Sequence, residues 1–188
     1  MRVSALAVSA IAVLAALTTP AAAAWHGYIS HTLGFAFAMP AAPNELKTDK
    51  TTYKGAVAGT RDAIVWSTVQ DNIQYQAFVI DTTAAATQSA TLLGEAEYIF
   101  QDGKKLLMDS FGRVDRHYGR KLSIDLPNNG GRRIACFYFI NGRIISLQAT
   151  VLPANGDYDN PEIARFIDSI TFFPERAADE DSELPLPK

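Results

Sequence analysis

Large apolar residues along this chain recur with two periods, two and three-to-four, and the places where the rhythm changes divide it into elements. Leu33, Phe35, Phe37 and Met39 alternate with small residues and predict a first strand. Pro40 and Pro43 close it, because proline has no N–H to give to a sheet ladder. The polar run 45–53 and the segment 56–60 fit an edge strand or an excursion. Residues 63–69 and 73–80 are rich in strand formers and meet at Asp71-Asn72, residue types that tolerate the positive φ of a tight hairpin turn. Leu92, Leu93, Ala96, Ile99 and Phe100 then recur at helical spacing, with Gly103 placed to end the helix.

Residues 106–111 and 122–126 predict further strands before the loop 127–131, Pro-Asn-Asn-Gly-Gly. The strongest pattern follows. Residues 133–140 and 143–151 flank Asn141-Gly142, the dipeptide best suited to a two-residue type I′ turn. That turn pairs Ile140 with Arg143, so Ile134, Cys136, Tyr138, Ile145, Leu147, Ala149 and Val151 share one face. The opposite face carries Phe137, Phe139 and Ile144 among polar residues, too apolar for open water, which predicts a second covering layer. Asn160-Pro161-Glu162 reads as a helix start, with Ile163, Phe166, Ile167 and Ile170 as its apolar side. A last short strand is predicted at 171–173. Residues 174–188 hold five acids and three prolines and read as a disordered tail. The expected fold is α+β: an antiparallel, hairpin-rich sheet with helices packed on its faces, in a single domain spanning 25–173.

The opening Leu33-Gly34-Phe35-Ala36-Phe37-Ala38-Met39-Pro40, the middle helix, Gly119-Arg120, the long hairpin and the closing Phe166-Ile167-Asp168-Ser169-Ile170 resemble the PsbP-like α/β/α sandwich superfamily, and within it small exported bacterial proteins of unknown function. The resemblance spans roughly residues 27–173. It implies helices on both faces of an antiparallel sheet. It brings no catalytic residues, because better-known members are accessory or protein-binding modules, and it implies no photosynthetic role.

The N-terminus changes the setting. Arg2, an apolar stretch from Ala5 to Leu17, Pro20 and the small residues Ala22-Ala23-Ala24 form a secretory signal, with cleavage expected after Ala24. An uncleaved anchor is disfavoured, since alanine is weakly hydrophobic and Pro20 interrupts the helix. The expected location is therefore the periplasm or the outside of the cell. Cleavage would leave 164 of 188 residues, enough to bury a core. Cys136 is the single cysteine, so packing rather than an intramolecular disulfide must hold the fold, and no lipid-bearing cysteine starts the mature chain. The mature chain is expected to be a monomer without a stable membrane anchor.

Removing Arg2 leaves 16 basic against 20 acidic side chains, which argues against bulk nucleic-acid binding. Between Lys104 and Arg143, however, nine basic residues face three acids. Arg113, Arg116, Arg120 and Lys121, followed by Arg132 and Arg133, are the candidate binding residues, suited to carboxylates or phosphates. The competing reading is a solvated sheet edge whose charges discourage aggregation.

Other chemistry lacks its pattern. His26, His31 and His117 do not form a ligand set. Asp157, Asp159, Asn160 and Glu162 lack the spacing of a calcium loop. No serine elbow, reactive thiol or glycine-rich phosphate loop is present, so no catalytic residue and no cofactor is assigned. The expected function is a non-enzymatic module binding a protein partner or an anionic envelope component. A small-molecule or lipid carrier with an apolar cavity is the alternative, and a hydrolase ranks third.

Overall fold

The computed structural model describes residues 24–42, 44–85, 87–177 and 184–185. The signal-peptide reading, with its cleavage after Ala24, falls on residues outside these apart from Ala24 itself. The chain runs β1 (His26–Ser30), β2 (Phe35–Met39), β3 (Lys47–Gly55), β4 (Gly59–Gln70), β5 (Ile73–Asp81), α1 (Ser89–Gln101), β6 (Leu106–Val114), β7 (His117–Asp125), β8 (Arg132–Ile140), β9 (Arg143–Val151), α2 (Pro161–Ile167) and β10 (Thr171–Phe172). Every strand pairing is antiparallel, in a seven-stranded sheet of order β3-β4-β5-β9-β8-β7-β6 and a three-stranded sheet of order β1-β2-β10. This is the α+β class read from the sequence. Among the described residues no helix is long and apolar enough to cross a membrane.

The turns set the register of the large sheet. Asn141 and Gly142 both adopt positive φ, 48° and 78°, and Ile140 pairs with Arg143 as expected. Asp71 and Asn72 do the same at 50° and 56° between Gln70 and Ile73. From these two turns the side chains alternate into two cores. Trp66, Ala77, Leu147 and Cys136 lie in one row across β4, β5, β9 and β8, all fully buried on one face. The small sheet and α2 cover that face, through Phe35, Phe37, Ile163 and Phe166. The other face contributes Ile80, Ala135, Phe137 and Ile144 to a second core closed by Leu92, Ala96 and Phe100 of α1. The partly apolar outer face of the β8–β9 hairpin is thus explained by α1. Asn160 accepts a hydrogen bond from the Glu162 N–H at 2.9 Å, capping α2 as its sequence indicated.

Three features depart from the sequence reading. The strand at Phe35–Met39 is the middle of a separate small sheet, and a preceding strand, β1, was not marked by alternation. The β6 and β7 strands are longer than expected, reaching Val114 and starting at His117, so Arg113 and Arg120 sit on strands either side of a two-residue turn that holds Arg116.

Of the segment 174–188, the structure describes residues 174–177 and 184–185, and both stretches make contacts with the rest of the chain. Arg176 N–H donates to the His31 carbonyl at 3.0 Å, Leu184 N–H to the Ile29 carbonyl at 2.7 Å, and Leu184 is buried. The reason is local: β1 is an edge of the small sheet, so the Ile29 carbonyl on it and the His31 carbonyl just past its end accept hydrogen bonds from a passing chain.

Candidate functional site

Strand alternation decides which basic side chains can act together. Lys121 pairs with Cys136 and Arg132 with Val151, which puts both on the face of α2 and the small sheet. Arg120 pairs with Phe137, Arg113 with Tyr118 and Arg133 with Thr150, on the face of α1. Arg116 is in the turn between β6 and β7. The six candidates therefore do not share one face.

Most already have a partner. Arg120 is ion-paired with Asp109 and Lys121 with Asp168. Arg132 meets Asp125 at 2.9 Å and stacks over Tyr158 at 4.8 Å. Arg133 donates through Nε to Thr150 Oγ1 at 3.0 Å, and burial lowers its pKa from the ordinary arginine value. Arg113 donates through Nε to the Asp115 carbonyl at 2.7 Å. Such surface pairs contribute little to stability, but they reduce the charge free to attract an anion.

The edge of the large sheet organises two of these arginines differently. Phe111 lies directly opposite Arg120 across β6–β7, and Arg113 directly opposite Tyr118. In each pair the guanidinium carbon lies over the ring, at 4.7 Å for Arg120 on Phe111 and 5.5 Å for Arg113 on Tyr118. The aromatic members stay out in solvent: Phe111 is 81% exposed and Tyr118 68%. Leucine and methionine at Leu107 and Met108 continue the apolar exposure along β6. Asp109 completes the row, and Glu97 of α1 stands near it, its pKa raised by burial, lowered by Arg120 and raised by Asp109. The arrangement is an Arg–aromatic checkerboard on a solvent-exposed sheet face.

Phe111 and Tyr118 were not among the sequence candidates. Treating Asp115-Arg116 as a two-residue turn would have placed each aromatic opposite an arginine, but that dipeptide is not a strong turn signal. Asp115 nonetheless adopts a φ of 51° there.

Two clefts lie nearby. One, of about 280 Å³, opens between α1 and the sheet, walled by Tyr53, Phe78, Phe100 and Phe137 with Lys104 and Arg133 at its rim. Another, of about 740 Å³, is a wide hollow at the end of the sheet, where Arg113, Arg116 and His117 meet Asn141 and Phe172. Among the described residues no three histidine, cysteine or carboxylate side chains come together as a metal site. His31 is buried, hydrogen-bonded by Arg176 at 3.0 Å, and Cys136 is wholly inside the core.

Comparison with known proteins returns the fold. No protein-family model and no curated protein matches the chain. Among solved structures it is similar to the solution structure of cyanobacterial PsbP (CyanoP) from Synechocystis, with a TM-score of 0.53 and 14% identity, covering 80% of this chain and 94% of that one. The fold is PsbP-like, as the motif resemblance implied.

Proposed function

We propose that the chain is an exported, periplasmic or secreted, non-enzymatic binding module, and that it binds a protein partner through the β6–β7 sheet edge. The observation that carries this reading is the exposure of Phe111 and Tyr118 beneath Arg120 and Arg113. Large aromatics and arginines are the residues that anchor protein interfaces, and these two rings lie in solvent rather than in either core. An exposed sheet face bearing rings and guanidiniums fits a macromolecule better than a metabolite, which needs a concave site. The leader-like N-terminus supports export, and the accessory character of better-known superfamily members agrees with a module that has no catalytic set.

An anionic envelope polymer is a poorer fit as partner, because Arg120, Lys121 and Arg132 are already neutralised by carboxylates of their own chain. A carrier role rests on the cleft beneath α1, whose volume of about 280 Å³ is small and open to solvent.

Crosslinking in the envelope fraction tests the reading, with the wild-type chain compared with Phe111→Ala/Tyr118→Ala and with charge reversal at Arg113 and Arg116. A defined partner lost in the aromatic variant supports it. Capture unaffected by all these changes removes the β6–β7 edge as the site, and a small molecule extracted from the purified protein would favour the cleft.

A further inference from the structure

We infer that the partner of this edge is a second copy of the chain, joined by antiparallel pairing of β6 with β6 about a two-fold axis through Phe111. The inference rests on reading β6–β7 as a binding surface and gives that surface its occupant, in place of the monomer suggested by the sequence.

β6 ends the seven-stranded sheet, and among the described residues no segment pairs with its outer side. The turn at Asp115-Arg116 makes Val114 and His117 the hydrogen-bonded closing pair of the hairpin. Alternation then turns the N–H and C=O groups of Arg113, Phe111 and Asp109 away from β7, toward open solvent. These are the groups a further strand must engage.

The side chains of the same three residues decide which strand fits. Edges are commonly protected by charge, which repels an incoming strand of like charge. Here the charges are of opposite sign and sit symmetrically, Asp109 two residues before Phe111 and Arg113 two residues after. In an antiparallel self-pairing centred on Phe111, Asp109 lies opposite Arg113 of the partner subunit, Arg113 opposite the partner's Asp109, and the two Phe111 rings meet at the axis. The same contact is made twice, as a two-fold interface requires. Among the described residues, Asp109 contacts Arg120 through Oδ1 and Arg113 contacts the Asp115 carbonyl through Nε, which leaves Oδ2 and both terminal guanidinium nitrogens for the partner. On the reverse face of β6 the central residues are Ser110 and Gly112, too small to obstruct a second strand, and the Tyr138 hydroxyl already lies where a Cβ on Gly112 would stand, 2.8 Å away.

Sedimentation velocity over a concentration series of the mature chain tests this, using wild type, Asp109→Arg, Arg113→Asp and an equimolar mixture of the two variants. The wild type is expected to dimerise as concentration rises. Each variant alone sets like charges opposite one another and should associate roughly tenfold more weakly or not at all. In the mixture every cross-strand pair again joins opposite charges, so a mixed dimer should form. Phe111→Lys, at a position 81% exposed, should also be monomeric, and thermal melts confirm that each variant is folded. A wild type that stays monomeric throughout overturns the self-pairing; if Phe111→Ala/Tyr118→Ala still abolishes envelope capture, the binding-surface reading survives that result. Variants that dimerise like wild type, or a mixture that stays monomeric beside a dimeric wild type, overturn it as well.

Discussion

The Trp66 indole N–H donates a 2.7 Å hydrogen bond to the carbonyl of Pro185, joining β4, next to the edge of the large sheet, to a residue almost at the C-terminus. Trp66 is wholly buried with this segment in place, and the Pro185 carbonyl is the partner of its N–H. Leu184, one residue earlier, is 2% exposed in the same core.

Truncation after Phe173 should therefore destabilise the protein. It removes Leu184 from the core, the hydrogen bond from the Trp66 N–H to Pro185 and the hydrogen bond from the Leu184 N–H to Ile29. Leu184→Ala alone should cost about 2 kcal/mol. Urea unfolding followed by tryptophan fluorescence checks both; midpoints equal to wild type would mean that the tail contributes nothing.

The Cys136 thiol should resist modification in the native protein. Burial pushes its pKa up to about 12, and its S–H points to the Ile167 carbonyl at 3.7 Å. Thiolate is the reactive form, so a thiol reagent at pH 8 should label the chain only after denaturant is added. Rapid labelling without denaturant would contradict the register of β8 and β9.

The legible part of this fold was written in short-range chemistry. Asn141-Gly142 fixed one hairpin register, and from it the burial of Cys136, Tyr138, Ile145 and Leu147 followed by parity. Asn160-Pro161 marked α2 in the same way. What escaped depends on distant partners. β1 takes its strand character from pairing with β2, and Leu184 docks on the Ile29 carbonyl of β1 from about 150 residues away in sequence; neither segment has alternation of its own. Charge density located the basic region around β6 and β7 but could not divide it between two faces. That division required the turn at Asp115-Arg116, and with it Phe111 and Tyr118 became visible as a site.

Glu95 joins α1 to the β3–β4 turn, and this joint should make part of the stability dependent on pH. Its carboxylate accepts from the Val57 N–H, from the Ala58 N–H at 2.9 Å and from the Tyr53 hydroxyl at 3.3 Å. Burial alone would raise its pKa, but these hydrogen bonds together hold it below the ordinary glutamate value. A carboxyl whose folded pKa is depressed stabilises the fold above its unfolded pKa of about 4.3, and that stabilisation is lost as pH falls through the folded value. Glu95→Gln should thus cost about 1 kcal/mol at neutral pH, with the gap from wild type closing in acid. Gly55→Ala should act through the same joint, since a Cβ there would stand 2.1 Å from Glu95 Oε2 and displace the carboxylate. The double variant should then cost less than the sum of the two single changes. Thermal melts of the four proteins from neutral to acid pH measure all of this; a gap between wild type and Glu95→Gln that persists unchanged into acid would show that the charge on Glu95 is not what holds the turn.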